Sequence, residues 1–216
     1  MPIICPTILA STIDDYKKQL DRVVPLSPRI HIDIMDGRFA STTSLDINQI
    51  WWPAGVQADL HVMFEQPERM LGAIIKMQPS LVIFHAEAEG DFGMFSKYLR
   101  QAGIKIGLAL LERTQITQIV TVVPKLDHVL IFSGHLGHFG GVADLDLLQK
   151  VRTLKANYPN VEIGWDGGIN DLNAKALIKG GVDVLNTGGF IQNSPNPPHA
   201  YAKLKMIAEN KDEDDF

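Results

Sequence analysis

Eight short runs rich in Ile, Val and Leu recur along the chain, and their number and spacing constrain its fold more than any other feature. They are "IICPTIL" (3–9), "RIHIDIM" (29–35), "VQADLHVM" (56–63), "SLVIFHA" (80–86), "IKIGLAL" (104–110), "DHVLIFS" (127–133), "VEIGWD" (161–166) and "VDVLNT" (182–187). Most are continuous runs rather than clean alternations, the pattern of parallel strands buried on both faces. Segments of helical period separate them, at 12–23, 67–77, 91–102, 114–122, 144–157, 171–179 and 199–209. In "DLDLLQKVRTLKANY", Leu145, Leu148, Val151, Leu154 and Tyr158 recur at three- and four-residue steps and form one apolar face. Pro67 with Glu68 beside it reads as a helix start, while Gly103 and the pair Gly180 and Gly181 read as helix ends. Only 37–55 interrupts the alternation, with room for one short helix around 46–51.

Eight strands alternating with helices in 216 residues is the arithmetic of a closed (β/α)8 barrel. A doubly wound open sheet is the alternative, but "LASTID" after the first strand contains none of the glycines of a dinucleotide-binding loop. The expectation is one barrel domain over residues 1–216, with the acidic end frayed at about 210–216. The formal net charge of -5 argues against nucleic acid as a partner, whereas a small anion stays compatible because backbone N–H groups can bind phosphate. No apolar run reaches membrane-spanning length and the N-terminus lacks a secretory pattern, so neither a membrane partner nor export is expected. The single cysteine, Cys5, reads as a small buried hydrophobe in a reducing, cytoplasmic setting.

Active sites of such barrels lie at the C-terminal ends of the strands, and unusual polar residues fall there. Strand 2 supplies His31, Asp33 and, just past its end, Asp36; strand 3 supplies Asp59 and His61; strand 4 ends in His85 and Glu87; strand 7 ends in Asp166, followed by Gly167 and Gly168. By the two-residue period, His31, Asp33 and Met35 share one face, as do Asp59, His61 and Met63. If that face is the interior, His31, Asp33 and His61 converge and Asp166 can close a ring suited to Zn, Mn, Fe or Co. Taken singly, each His is more often a hydrogen-bonded strand-end residue. The carboxylates are harder to dismiss, because burying Asp33 between Ile32 and Ile34 is costly unless it is paired or ligated. Asp36 precedes Gly37 and suits a turn, and the roles of Asp59, His85, His135 and His138 stay open. Glycines in "SGHLGHFGGVAD" (133–144), "DGGIN" and "NTGGF" (186–190) can turn successive N–H groups toward an anion near the last strands.

"HIDIMDGRF" resembles the strand-2 signature of the ribulose-phosphate 3-epimerase family, and "PTIL", "ADLHVM", "HAEAEG", "FGG", "DGGIN" and "NTGGFI" extend the likeness across nearly the whole chain. The resemblance implies a (β/α)8 barrel that epimerises a ketose phosphate at C3, most simply D-ribulose 5-phosphate to D-xylulose 5-phosphate. It implies one divalent metal ion (Zn, Fe, Mn or Co) on His31, Asp33, His61 and Asp166, with Asp33 and Asp166 also the acid/base pair. It places Thr7, Met35, Met63, Gly140, Gly141, Gly167, Gly168, Gly188 and Gly189 around the substrate, and it implies a homo-oligomer. The chain departs from the family pattern at "FASTT" (39–43), at "LGHFGGV" (136–142) and at Gly189, where a Ser or Thr is usual. Those changes lie in loops around the sugar and phosphate, so a hexulose phosphate such as D-allulose 6-phosphate is an alternative substrate. A non-catalytic barrel that binds a phosphorylated metabolite is the alternative from another class. Decarboxylase or aldol chemistry is disfavoured, because "DLHVMF" on strand 3 has no lysine.

Overall fold

The computed structural model describes residues 1–209, so the tail expected to fray at about 210–216 lies outside the described residues. The strands are β1 (Ile3–Ile8), β2 (Arg29–Met35), β3 (Gln57–Met63), β4 (Leu81–His85), β5 (Lys105–Leu110), β6 (His128–Phe132), β7 (Glu162–Asp166) and β8 (Val184–Thr187). All pair in parallel in sequence order, and β8 returns to β1 with Ile3 opposite Val184, closing the barrel expected from the sequence. The helices are α1 (Ile13–Val23), α2 (Leu71–Met77), α3 (Phe92–Gln101), α4 (Leu148–Asn157), α5 (Ala174–Lys179), α6 (Gly189–Gln192) and α7 (Pro197–Ala208). Their starts follow local chemistry: the Thr12 hydroxyl accepts from the Asp15 N–H ahead of α1, and the Asp91 carboxylate accepts from the Gly93 and Met94 N–H groups ahead of α3. None of the described helices is long and apolar enough to cross a membrane.

Two segments differ from the sequence expectation. The helix expected over 114–122 is replaced by two 3-10 turns, Ile116–Gln118 and Val123–Lys125. Ile116, Thr117, Ile119, Val120, Thr121, Val122 and Val123 are β-branched, and Pro124 follows them, so helix propensity fails over this stretch. The short α6 after β8 was not expected from the sequence. Between β2 and β3 the one short helical turn, Ile47–Gln49, falls where the sequence left room for it.

The strands bury both faces, but against different partners. Ile30, Ile32, Ile34, Leu60, Val62, Val82, Phe84, Val129 and Ile131 join Tyr16, Leu20, Leu99, Val151 and Leu177 in the layer between barrel and helices. Inside the barrel, Leu81, Ile83, Ala109 and Leu130 form a small separate apolar cluster. Several other interior positions carry polar side chains. At the N-terminal end, Arg29 donates from Nε to Asp59 at 2.7 Å and from its two terminal nitrogens to Glu162 at 2.9 and 2.8 Å. His128 lies 2.8 Å from Glu162 through Nδ1. Asp59, whose role the sequence left open, therefore belongs to this ionic plug and not to the ring of expected metal ligands.

Asp59 is 1 % exposed, and Arg29 is its ion-pair partner. Removing one member of a buried ion pair leaves the other charge desolvated without compensation. Arg29→Leu should lower the unfolding free energy by about 3–5 kcal/mol, read from urea denaturation midpoints. A change under about 1 kcal/mol, the range of exposed pairs, would show that the plug contributes no more than a surface pair.

Candidate metal centre

The parallel register of β2 with β3 sets His31 beside Asp59, Asp33 beside His61 and Met35 beside Met63. The alternation that turns Ile30, Ile32 and Ile34 toward the helices turns the intervening side chains into the barrel. Asp166, the last residue of β7, reaches the same point from across the interior. His31, Asp33, His61 and Asp166 each present one donor atom, and all four atoms lie within 4.8 Å of one another. The sequence expectation that these four converge is met.

The separations suit a shared cation. His31 Nε2 is 3.2 Å from Asp33 Oδ1 and 3.7 Å from Asp166 Oδ2, and His61 Nδ1 is 2.9 and 3.6 Å from the same two oxygens. Ligands at about 2.0–2.1 Å from one tetrahedral ion stand roughly 3.3 Å apart, so the observed edges bracket that value. Both ring nitrogens of His31 are buried and make no hydrogen bond among the described residues. A fully buried imidazole with a bare Nε2 aimed at two carboxylates is costly unless something binds there. The donor set of two imidazoles and two carboxylates fits Zn, Fe, Mn or Co.

Electrostatics divides the two carboxyl groups. Burial works to raise Asp33, but the imidazoles of His31 and His61 beside it outweigh burial and hold it well below the usual carboxylate range. Burial, and after it the Asp33 charge, push Asp166 up. Asp33 is thus the stronger acid of the pair and Asp166 the weaker. Asp36, by contrast, is a turn residue: its carboxylate accepts from the N–H groups of Arg38, Phe39 and Glu65. His85, left open by the sequence, stands behind the ring, with its Nε2 2.8 Å from His61 Nε2.

Above the four ligands opens a cavity of about 240 Å³, with Asp33 and Asp166 in its wall. Thr7, Met63, Gly140, Gly141, Gly167, Gly168, Gly188 and Gly189 also line it. Met35 does not; it packs under the β2 loop against Ala40 and Met63. A Cβ on Gly168 would lie 2.2 Å from the Ala143 nitrogen, so glycine there lets the loops after β6 and β7 touch. Gly140 is different, with φ +92 and open space where a Cβ would go, so its conformation and not crowding calls for glycine.

Sequence reasoning missed Asn186. It lies in β8 opposite Asp166, lines the cavity, is 2 % exposed, and makes no side-chain hydrogen bond among the described residues. The signal was available, since an amide between Leu185 and Thr187 in a buried strand raises the same question as Asp33. Phe132, His135, His138 and Phe190 complete much of the remaining wall.

Metal binding at the ring has a thermodynamic signature. Zinc, manganese, iron(II) or cobalt(II) added to chelator-treated protein should raise stability by about 2.7 kcal/mol at a hundredfold excess over Kd. The shift should vanish in His31→Leu, with both measured by thermal denaturation. No shift in the unaltered protein with any of the four ions would remove the metal from this site.

Comparison with known proteins bears on the same residues. A sequence profile described as the Ribulose-phosphate 3 epimerase family matches residues 3–191. The ribulose-phosphate 3-epimerase of Mycobacterium leprae is 29 % identical over 96 % of this chain and 95 % of that protein. The enzyme of the same name from Schizosaccharomyces pombe is 26 % identical over 94 % of this chain and 92 % of its own length. Among solved structures, 3-hexulose-6-phosphate synthase from Salmonella typhimurium superposes with a TM-score of 0.72 at 14 % identity, covering 97 % of this chain and 100 % of that one. Phosphoribosyl anthranilate isomerase from Thermococcus kodakaraensis gives 0.67 at 10 % identity, with 97 % and 100 % covered. These two share the barrel alone, whereas the profile spans the strands that carry His31, Asp33, His61 and Asp166. This chain belongs to the ribulose-phosphate 3-epimerase family.

Proposed function

We propose that this protein epimerises a ketose phosphate at C3, interconverting D-ribulose 5-phosphate and D-xylulose 5-phosphate, with Asp33 and Asp166 as the two acid/base groups. The observation that carries the reading is that carboxylates from β2 and β7 line one cavity while their environments drive their proton affinities apart. Epimerisation requires one group to remove the C3 proton and another to return a proton to the opposite face. Asp33, held ionised, is the base for the epimer whose C3–H faces β2. The electron pair of that C–H bond moves into the C2–C3 bond, the C2 carbonyl oxygen takes the charge, and Asp166 delivers its proton to the other face of C3. The reverse reaction exchanges the roles. His31, Asp33, His61 and Asp166 would hold a divalent ion, which when bound supplies a Lewis acid for the carbonyl.

The remaining wall suits the rest of such a substrate. The Thr7 hydroxyl and the Asn186 amide are buried, line the cavity and make no side-chain hydrogen bond among the described residues, so they are ready for sugar hydroxyls. The cavity lining contains no Lys or Arg. A phosphate would therefore rest on backbone N–H groups around Gly140, Gly141, Gly167, Gly168, Gly188 and Gly189, with Met63 against the apolar side of the sugar. D-allulose 6-phosphate is the second reading. The departures at 39–43 and 136–142 meet where the Thr42 hydroxyl donates to the Gly137 carbonyl at 3.2 Å, a contact between the two loops beside the cavity. The same reading takes the enzyme to be cytoplasmic and homo-oligomeric.

A panel of five- and six-carbon ketose phosphates in deuterated water tests this directly. Deuterium should enter at C3 of ribulose and xylulose 5-phosphates, and far more slowly at C3 of the unphosphorylated sugars. No exchange from any ketose phosphate by metal-loaded protein would favour a non-catalytic binding barrel. Asp33→Asn and Asp166→Asn should each cut net epimerisation by about 10²–10⁴-fold. The two variants should also retain C3 exchange with opposite epimers, once equal metal content is verified. Retention of both activities at the original rate would sink the two-carboxylate mechanism.

A further inference from the structure

Behind the ring of four donors, a chain of hydrogen-bonding groups leads away from His61. Its far end is Glu87, two residues beyond the end of β4. Glu87 Oε1 accepts from the Leu111 backbone N–H at 3.0 Å and from the Thr114 hydroxyl. Its Oε2 faces His85 Nδ1 at 3.3 Å. His85, 3 % exposed, then meets His61 through the two Nε2 atoms at 2.8 Å, with the rings stacked at 4.9 Å between centroids. Phe39 and Phe132 pack around His85 at 4.7 and 6.0 Å between centroids.

Counting hydrogens along this chain gives it a direction. A backbone N–H can only donate, and a carboxylate can only accept. His85 must therefore carry its hydrogen on Nδ1 to meet Glu87, which leaves Nε2 bare in a neutral ring. A bare Nε2 at 2.8 Å from His61 requires the hydrogen on His61 Nε2. A neutral His61 protonated there has a free lone pair on Nδ1, the atom that belongs to the four-donor ring. The opposite arrangement puts a hydrogen on His61 Nδ1 toward Asp33 Oδ1, 2.9 Å away, and sets bare His85 Nδ1 against Glu87 Oε2. It satisfies the ring at the cost of the Glu87 end, whereas a cation shared by His61 and Asp33 makes the first arrangement the one that matches every lone pair.

We propose that Glu87 and His85 are positioning residues that fix the tautomer of His61, so that its Nδ1 is ready to ligate the metal. The inference rests on the metal-binding reading of the ring, and it concerns residues that never touch the ion. The Leu111 N–H and the Thr114 hydroxyl hold the Glu87 carboxylate in place, and that acceptor-only group sets the direction of the chain.

Isosteric substitution separates this role from mere packing. In Glu87→Gln the amide oxygen can keep Leu111 and Thr114, which turns an N–H toward His85 Nδ1 and reverses every hydrogen down to His61. In His85→Gln the side-chain oxygen replaces the bare Nε2 as acceptor, whereas His85→Phe offers none. Zinc affinity, measured by competition with a chromophoric chelator, should fall about 10–100-fold in Glu87→Gln and His85→Phe but stay within about threefold in His85→Gln. In zinc-loaded unaltered protein a slowly exchanging imidazole N–H should be assigned by NMR to His61 Nε2, and it should be lost in His85→Phe. Unchanged zinc affinity in Glu87→Gln, or equal loss in both His85 variants, overturns the inference while leaving the metal site intact. An unaltered chain that takes up no zinc overturns the metal reading and this inference with it.

Discussion

Two carboxyl groups, Asp33 and Asp166, face each other inside a closed barrel, both nearly withdrawn from water, and much of the surrounding arrangement answers to that fact. Isolated buried carboxylates are among the most costly groups a protein can hold, and two together cannot both be ionised without positive charge close by. The barrel responds in part by placing His31 and His61 against them and in part by leaving Asp166 its proton. The response is incomplete, since His31 still has no hydrogen bond among the described residues. A divalent cation held by the four donors would correct that residual imbalance.

The ionic plug at the other end of the barrel shows the alternative solution. There, two carboxylates, Asp59 and Glu162, are met by Arg29, whose guanidinium stays charged at any working pH. The plug carries its own cation, and it borders no part of the cavity that Asp33 and Asp166 line. At the upper end the protein supplies imidazoles alone. The same pairing of two acidic groups becomes a structural element where an arginine is built in, and a candidate metal site where none is.

The barrel was legible because parallel strands buried on both faces leave runs that nothing else in the chain imitates. The turns after β5 were less so, because "QITQIVTVVPK" has an apolar spacing that suits a helix while its β-branched residues and Pro124 oppose one. In the site, the two-residue period found His31, Asp33 and His61 but could not say how deep each lies. Asp59 shares a face with His61, and only its partner Arg29 reveals that it belongs one layer lower. Met35 and Met63 are register partners, yet only Met63 reaches the cavity, because Ala40 and the β2 loop fold over Met35. Asn186 is harder to pick out in the sequence because burying an uncharged amide costs less than burying a carboxylate, although burial without a partner is costly for both.

Depth is the variable that links these observations. Along β2 the inward residues are Arg29, His31, Asp33 and Met35, each two residues and roughly 6.6 Å further along the strand than the last. Read upward, they pass from a permanent cation in the plug, through two ligand-type groups, to an apolar cap. The neighbouring strand repeats the gradient with Asp59, His61 and Met63, because the β2–β3 register sets partners side by side. The order cannot be exchanged without loss. An arginine at the level of His31 would neutralise Asp33 and Asp166 permanently and remove the demand for a metal. An imidazole at the level of Arg29 would leave Asp59 without a fixed counter-charge. Stability and chemistry are therefore held apart by a single step of the pleat, and a one-residue slip of β2 would turn its whole inward ladder to the helices.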